Sequence, residues 1–245
     1  VIRGPVCHLI DASGDTAYFR AIARHHDRER FPVLVGSVAP AGALQRAMAS
    51  CGTETFALDA GGGWAGWPAA QRLAALVRER SVGLVHAHCF FPTLWGLAAA
   101  RIAGVPFVFT RHHSDHHLRL GKRWHTRIDG WCARHAERAI AVSDATRRIM
   151  VEREGVPDER IAVVWNGADA LPEPSPEVVC ATRRALGLDD EAPVCVVVAR
   201  LHEEKGHAVL LRALPEVLRR TPGLVVLCAG DGPHRAALER ETRER

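Results

Sequence analysis

The chain has 245 residues, 47% of them hydrophobic and 24% charged, with a formal net charge of +4. This is enough apolar material for one large core or two modest ones; it excludes a disordered chain, and so mild a charge does not demand a nucleic-acid partner. No apolar run approaches the ~20 residues of a membrane span, and the seven cysteines show no CxxC spacing, so buried thiols (Cys7, Cys195 and Cys228 among them) in a reducing, cytoplasmic compartment are expected.

Short apolar runs alternate with amphipathic ones from the start. Val6–Ile10 reads as a strand, Asp15–His25 as a helix, Phe31–Val35 as a strand, Ala41–Ser50 as a helix and Glu54–Leu58 as a third strand. After the glycine run ending at Gly63, Pro68 opens a helix to Arg80, because proline's fixed φ suits a first helical turn. Val82–Ala87 and Val105–Phe109 are strands around a helix over Thr93–Ala103. A basic helix over Lys122–Arg138 follows, with an apolar stripe at Trp124, Ile128 and Trp131 expected to pack inward, and strands come next at Ala139–Val142 and Ile161–Trp165. Continuously apolar strands joined by helices imply a parallel sheet covered on both faces.

Leu171–Pro176 places three prolines in six residues, which denies the backbone regular hydrogen bonds and marks an inter-domain connection. The rhythm restarts with a helix over Val178–Leu186, a strand over Val194–Ala199, a helix over Gly206–Arg220 and a strand over Leu224–Ala229. The expected organisation is a Rossmann-like domain over residues 1–170, a linker and helix over 171–192, and the first part of a second domain over 193–245. Two strands do not complete a doubly wound sheet, so an exposed apolar edge is expected there.

Arg200 and Lys205 flank a turn after the Val194–Ala199 strand, and Gly206 leads into the next helix. Ligands of parallel α/β domains bind beyond the carboxyl ends of strands, where helix N–H groups and basic side chains attract phosphate. The alternative is a solvated turn neutralised by Glu203 and Glu204. Gly230 and Gly232 occupy the corresponding loop after the next strand, as a binding turn or an ordinary one. In the first half, His86 and His88 share a strand face, and Arg111-His-His-Ser-Asp-His-His117 follows an apolar strand whose end opens toward a cleft. The histidines lack a metal-ligand spacing such as HExxH, so no metal is expected, and a sugar or phosphate contact within 110–117 is the sharper reading. Asn166-Gly-Ala-Asp169 reads as a turn, with Asp169 no general base.

These residues resemble the retaining GT-B glycosyltransferases of the GT4 group. The resemblance rests on Leu84-Val-His-Ala-His88, Leu97-Ala-Ala-Ala-Arg-Ile-Ala-Gly-Val-Pro106, Phe109-Thr-Arg-His-His113 and Ala141-Val-Ser-Asp-Ala-Thr-Arg147. It continues through Gly155-Val-Pro157, Val163-Val-Trp-Asn-Gly-Ala-Asp169, Ala199-Arg-Leu-His-Glu-Glu-Lys-Gly206 and Gly230-Asp-Gly-Pro233. It implies an α/β fold of two Rossmann-like domains, the second incomplete in this chain, with acceptor contacts in the first and a nucleotide-sugar donor in the second. It also implies Arg200 and Lys205 on the donor diphosphate, His112 (or His113 in the alternative register) beside the transferred sugar, and no divalent metal.

Gly14, in Asp11-Ala-Ser-Gly-Asp15, stands where the family has a paired-glycine loop, with Ser13 and Asp15 as departures. The family's E-x7-E acidic pair falls after Arg245, which gives the expectation of a truncated transferase; Glu239, Glu241 and Glu244 read as the charged side of a final helix. The implied acceptor is a hydroxyl of a glycan or lipid-linked cell-envelope intermediate, with no nucleic acid expected; the cations of Lys122–Arg138, as the alternative to inward packing of that helix, read as binding an anionic acceptor or making peripheral contact with an anionic membrane at its cytoplasmic face. Competing readings are a noncatalytic remnant or module, a GT-B nucleotide-sugar epimerase, and a dinucleotide oxidoreductase, the last lacking GxGxxG after its first strand.

Overall fold

The computed structural model describes residues 4–11, 14, 16–60, 66–112 and 121–244. His113, His116, His117, Ser13 and Asp15 lie outside the described residues. The chain divides into two units, Val1–Ala170 and Leu171–Arg245.

In the first unit, strands β1 (Val6–Ile10), β2 (Val33–Ser37), β3 (Glu54–Ala57), β4 (Leu84–His88), β5 (Phe107–Arg111), β6 (Arg138–Ala141) and β7 (Ile161–Val163) form one sheet. Its order is β3-β2-β1-β4-β5-β6-β7, and every neighbouring pair is parallel. The chain winds outward one way from β1 and then returns beside it at β4, so β1 and β4 flank the topological switch point where open α/β sheets bind ligands.

Helices α1 (Ala17–His25), α2 (Ala43–Ser50), α3 (Trp67–Glu79), α4 (Phe90–Ala103), α5 (Arg123–His135) and α6 (Asp144–Glu152) join these strands. Thr16 and Ser143 start α1 and α6 by accepting hydrogen bonds from the amides of Phe19 and Thr146, which satisfies N–H groups the helices themselves cannot. The sequence reading missed α6, whose apolar positions are too few for a clear periodicity. On one side of the sheet Cys7, Leu9, Leu34, Val85, Ala87, Phe107 and Phe109 pack with α3, α4 and the Cys132–Ala136 end of α5. On the other, Phe19 and Ala23 of α1 pack with Val35, Leu44 and Met48.

Two expectations are corrected here. The inward stripe predicted on α5 is not the buried one: Trp124 and Trp131 are about half exposed (48% and 47%), while His125, Thr126, Asp129, Cys132 and Ala133 are buried. The helix is rotated so that Cys132 and Ala133 enter the core, and its Gly130 passes close to the segment after α6, where a Cβ would lie 2.3 Å from the carbonyl oxygen of Glu154. Nor are the strands continuously apolar. β1 and β4 send His8, His86 and His88 to the α1 side, where Phe19 packs against His8 and His88 and Tyr18 against His88.

Beneath α5 lies a buried ion triad. Arg111 Nη1 donates to Asp129 Oδ2 at 2.7 Å and to Glu154 Oε1 at 2.9 Å, and Nη2 donates to Glu154 Oε2 at 3.1 Å. The two carboxylates share one positive charge, and burial pushes the Glu154 carboxyl up to about 7.

The second unit contains α7 (Pro176–Ala185), β8 (Val194–Val198), α8 (His207–Arg220), β9 (Val225–Ala229) and α9 (Arg235–Glu244), with β8 and β9 parallel. Its two-stranded sheet leaves Val196 and Val198 exposed, as the strand count implied. Cys195 and Cys228 are exposed as well. The burial expected for these two thiols does not hold: they lie on the face opposite Val196 and Val198, and neither face of this sheet is fully covered among the described residues.

Candidate functional site

One candidate site, in the first unit, lies at the carboxyl ends of β4 and β5. β4 ends at His88 and turns at once into α4 through Cys89, whose φ of +70° and ψ of 175° belong to a region that side-chain-bearing residues rarely occupy. Backbone held in such a conformation concentrates at ligand sites, where the surrounding structure over-determines it. Thr93 Oγ1 fixes the turn by donating to the Cys89 carbonyl at 2.6 Å.

Next to this turn stands His112, one residue past β5. Its Nε2 lies 3.0 Å from His88 Nδ1, and Tyr18 meets its ring edge-on with centroids 4.9 Å apart. His88 continues inward, its Nε2 being 3.0 Å from His8 Nδ1. His86 turns its Nε2 to Thr110 Oγ1 at 2.8 Å and tilts over His88 at 4.3 Å. Sequence reasoning found His112 and the shared face of His86 and His88 but not His8. The signal was there, in a single imidazole inside the apolar pentapeptide Val6-Cys-His-Leu-Ile10. Its significance depends on the β1–β4 register, which sets His8 opposite His86.

One ring nitrogen from each of His8, His86 and His88 falls within 4.8 Å of the others, a grouping that could take a metal ion. Their nitrogens already have partners within the protein: His8 Nδ1 pairs with His88 Nε2, His88 Nδ1 with His112 Nε2, and His86 Nε2 with Thr110 Oγ1.

At the end of the first unit, Asp169 accepts from Arg24 Nη1 at 2.7 Å and pairs with His25 Nε2 at 2.6 Å. Hydrogen bonds from His25 and Arg24 hold its carboxyl below the usual range. It ties the turn to α1. Gly14 is exposed, and a Cβ there would meet none of the described residues within 4 Å.

A separate candidate site, in the second unit, is built on β8 and β9. After β8 the chain runs through Arg200 and a single 3-10 turn over Glu203–Lys205, and Gly206 at φ +73° then opens α8. Arg200 is 72% exposed on its side chain and donates from Nη2 to Glu204 Oε1 at 2.8 Å. Lys205 is exposed one residue before Gly206.

Gly230 and Gly232 serve the adjacent loop in a way the sequence did not reveal. A Cβ at 230 would lie 2.0 Å from the Ala199 carbonyl oxygen, and one at 232 would lie 2.5 Å from that of Leu201. The two loops are laced together instead, with the Leu201 amide donating to the Asp231 carbonyl at 2.9 Å and the His234 amide to the Leu201 carbonyl at 3.1 Å. Gly230→Ala should therefore cost about 1–3 kcal/mol of stability and speed amide exchange at Leu201. Unchanged protection of that amide would refute the close approach.

The family model described as Glycosyltransferase Family 4 matches residues 12–170, and that described as Glycosyl transferases group 1 matches residues 180–245. The chain belongs to glycosyltransferase family 4. This family 4 chain is 34% identical to the alpha-D-kanosaminyltransferase of Streptomyces kanamyceticus, over 66% of its own length and 45% of that relative's. It thus spans less than half of that curated relative.

Among solved structures, Anabaena Alr3699/HepE in complex with UDP and glucose superposes with a TM-score of 0.84 at 21% identity, covering 99% of this chain and 66% of that one. A UDP-N-acetylglucosamine 2-epimerase from Rickettsia bellii follows less well, with a TM-score of 0.57 at 12% identity over 96% of this chain and 64% of the other. The family 4 chain has the Rossmann-like architecture of GT-B glycosyltransferases, with His112 in one unit and Arg200 and Lys205 in the other.

Proposed function

We propose that this chain supplies the acceptor-side domain and the first part of the donor-side domain of an enzyme that moves a sugar from a nucleotide-sugar to a hydroxyl acceptor. The observation that carries the reading is the loop from Arg200 to Lys205 at the start of α8, which sets two cations and a helix N-terminus at the carboxyl end of a strand in a family 4 chain. Arg200 and Lys205 bind the donor diphosphate and stabilise the negative charge that grows as the sugar–phosphate bond breaks. His112 hydrogen-bonds to the transferred sugar. The acceptor oxygen bonds to the anomeric carbon on the face the nucleotide leaves, the bonding pair departs with the phosphate, and a phosphate oxygen takes the acceptor proton. Nothing in this step needs a divalent metal. Calorimetric titration with UDP- and GDP-sugars, and separately with DNA and RNA, tests the reading; saturable binding to nucleic acid alone would defeat it.

The acceptor is a glycan or lipid-linked hydroxyl reached at the cytoplasmic face of an anionic membrane. No helix among the described residues is long and apolar enough to cross a bilayer. Support comes from α5, where Trp124, Arg127, Trp131 and Arg134 are all exposed, since indoles and cations together suit an anionic interface. Sedimentation with phosphatidylglycerol vesicles should retain the chain at low salt and lose most of it in Trp124→Ala/Trp131→Ala. Equal retention on phosphatidylcholine would remove the anionic contact.

A further inference from the structure

His8, His88 and His112 stand in line across the switch point, from the middle of β1 to the residue beyond β5. Both gaps between them are 3.0 Å, and both are nitrogen to nitrogen: His8 Nδ1 to His88 Nε2, and His88 Nδ1 to His112 Nε2. His8 is 6% exposed and His88 fully buried. Phe19 stands edge-on to both rings, and Tyr18 stands edge-on to His88 and His112. A buried polar atom without a partner is costly, and here each inward nitrogen has another imidazole as its partner.

We propose that His8, His88 and His112 form a hydrogen-bonded chain of neutral imidazoles in which His88 is a positioning residue that sets the tautomer and ring orientation of His112. The inference rests on the assignment of His112 to the sugar site. A neutral imidazole has one donor nitrogen and one acceptor nitrogen. His88, in the middle, uses both, so it must donate on one side and accept on the other. If the chain runs outward, His8 donates from Nδ1, His88 donates from Nδ1, and His112 keeps its proton on Nδ1. If it runs inward, His112 and His88 donate from Nε2, and His8 carries its proton on Nε2. Either direction requires the same tautomer in all three rings. His112 then holds one fixed tautomer, in place of a mixture.

The surroundings favour the uncharged state. Burial lowers His88 well below the usual imidazole range, with His86, His8 and His112 adding to the effect, and burial and then His26 bring His8 down to about 4. His86 stays beside the line, held by Thr110.

Long-range proton–nitrogen correlation spectra of the histidine side chains at pH 7, assigned by single substitutions, read the tautomers directly. The expected spectrum shows three neutral rings of one matching tautomer. His88→Phe should release His112 into averaged, intermediate nitrogen shifts. His88→Asn, whose side-chain amide reaches the former Nδ1 position, should restore a single His112 tautomer. In the complete gene product, sugar transfer should fall about 100-fold in His88→Phe and recover largely in His88→Asn, with the loss in kcat rather than KM.

Mixed tautomers, a charged ring, or a His112 spectrum unmoved by His88→Phe would overturn the chain. So would stoichiometric Zn²⁺ shifting His8, His86 and His88 together, which would make the cluster a metal site. Matching tautomers combined with full transfer in both His88→Phe and His112→Ala would leave the hydrogen bonds standing and overturn both the positioning role and the place of His112 in the sugar site.

Discussion

Arg111→Ala is expected to remove about 3–5 kcal/mol of stability, because it strips the only guanidinium of the triad from two buried carboxyls. Asp129 and Glu154 are each 4% exposed on their side chains, so water does not replace the lost hydrogen bonds. For a chain of this size the melting temperature should drop by on the order of 10 °C. The residue also ends β5 one position before His112, so the loss should spread to the candidate site as faster amide exchange at the carboxyl ends of β4 and β5. A melting point within 2 °C of the parent, on the same size scaling, would mean that the triad is not closed in solution.

The same triad has a defined pH signature. The Glu154 carboxyl is raised to about 7 in the fold against an ordinary value of 4.5, and burial raises Asp129 too. Between those two values the folded chain holds a proton that the unfolded chain has released, so stability falls as pH rises from 4.5 toward 7. Glu154→Gln should flatten this slope and leave the protein at least as stable above pH 7, in contrast to Arg111→Ala. A parent whose stability rises across that window would contradict the shift.

The second large effect is expected at the Arg200–Lys205 loop. Each charge-assisted hydrogen bond to a diphosphate contributes about 1.5–3 kcal/mol. Arg200→Ala and Lys205→Ala should therefore each weaken binding of UDP- or GDP-sugars by about 10–100-fold, and the pair more. The contact between Arg200 and Glu204 does not oppose this. It is an exposed i,i+4 pair, worth less than about 1 kcal/mol, so Arg200 can exchange it for a phosphate. Glu204→Gln separates the two readings of the loop. Tighter donor binding in that variant, beside weaker binding in the alanine variants, supports a phosphate site partly masked by its own glutamate. Unchanged donor affinity in all three would reduce the loop to a solvated turn.

The sequence by itself determined the alternation of strands and helices, the proline-marked division at 171, the family, and the candidates His112, Arg200 and Lys205. These are local signals. An apolar run, a proline cluster or a cation beside a glycine keeps its meaning without knowledge of its neighbours. The tertiary structure decided what depends on pairing between distant segments. Strand order placed β1 beside β4 and so turned His8, an isolated imidazole in the sequence, into the inner end of a line reaching His112. The rotation of α5 turned two expected core tryptophans outward, and the approach of two loops made Gly230 and Gly232 necessary for packing. Arg111, Asp129 and Glu154 likewise gave no sign of one another in the sequence. Register and burial belong to pairs of segments, so a strand read alone shows which residues share a face but not what faces them.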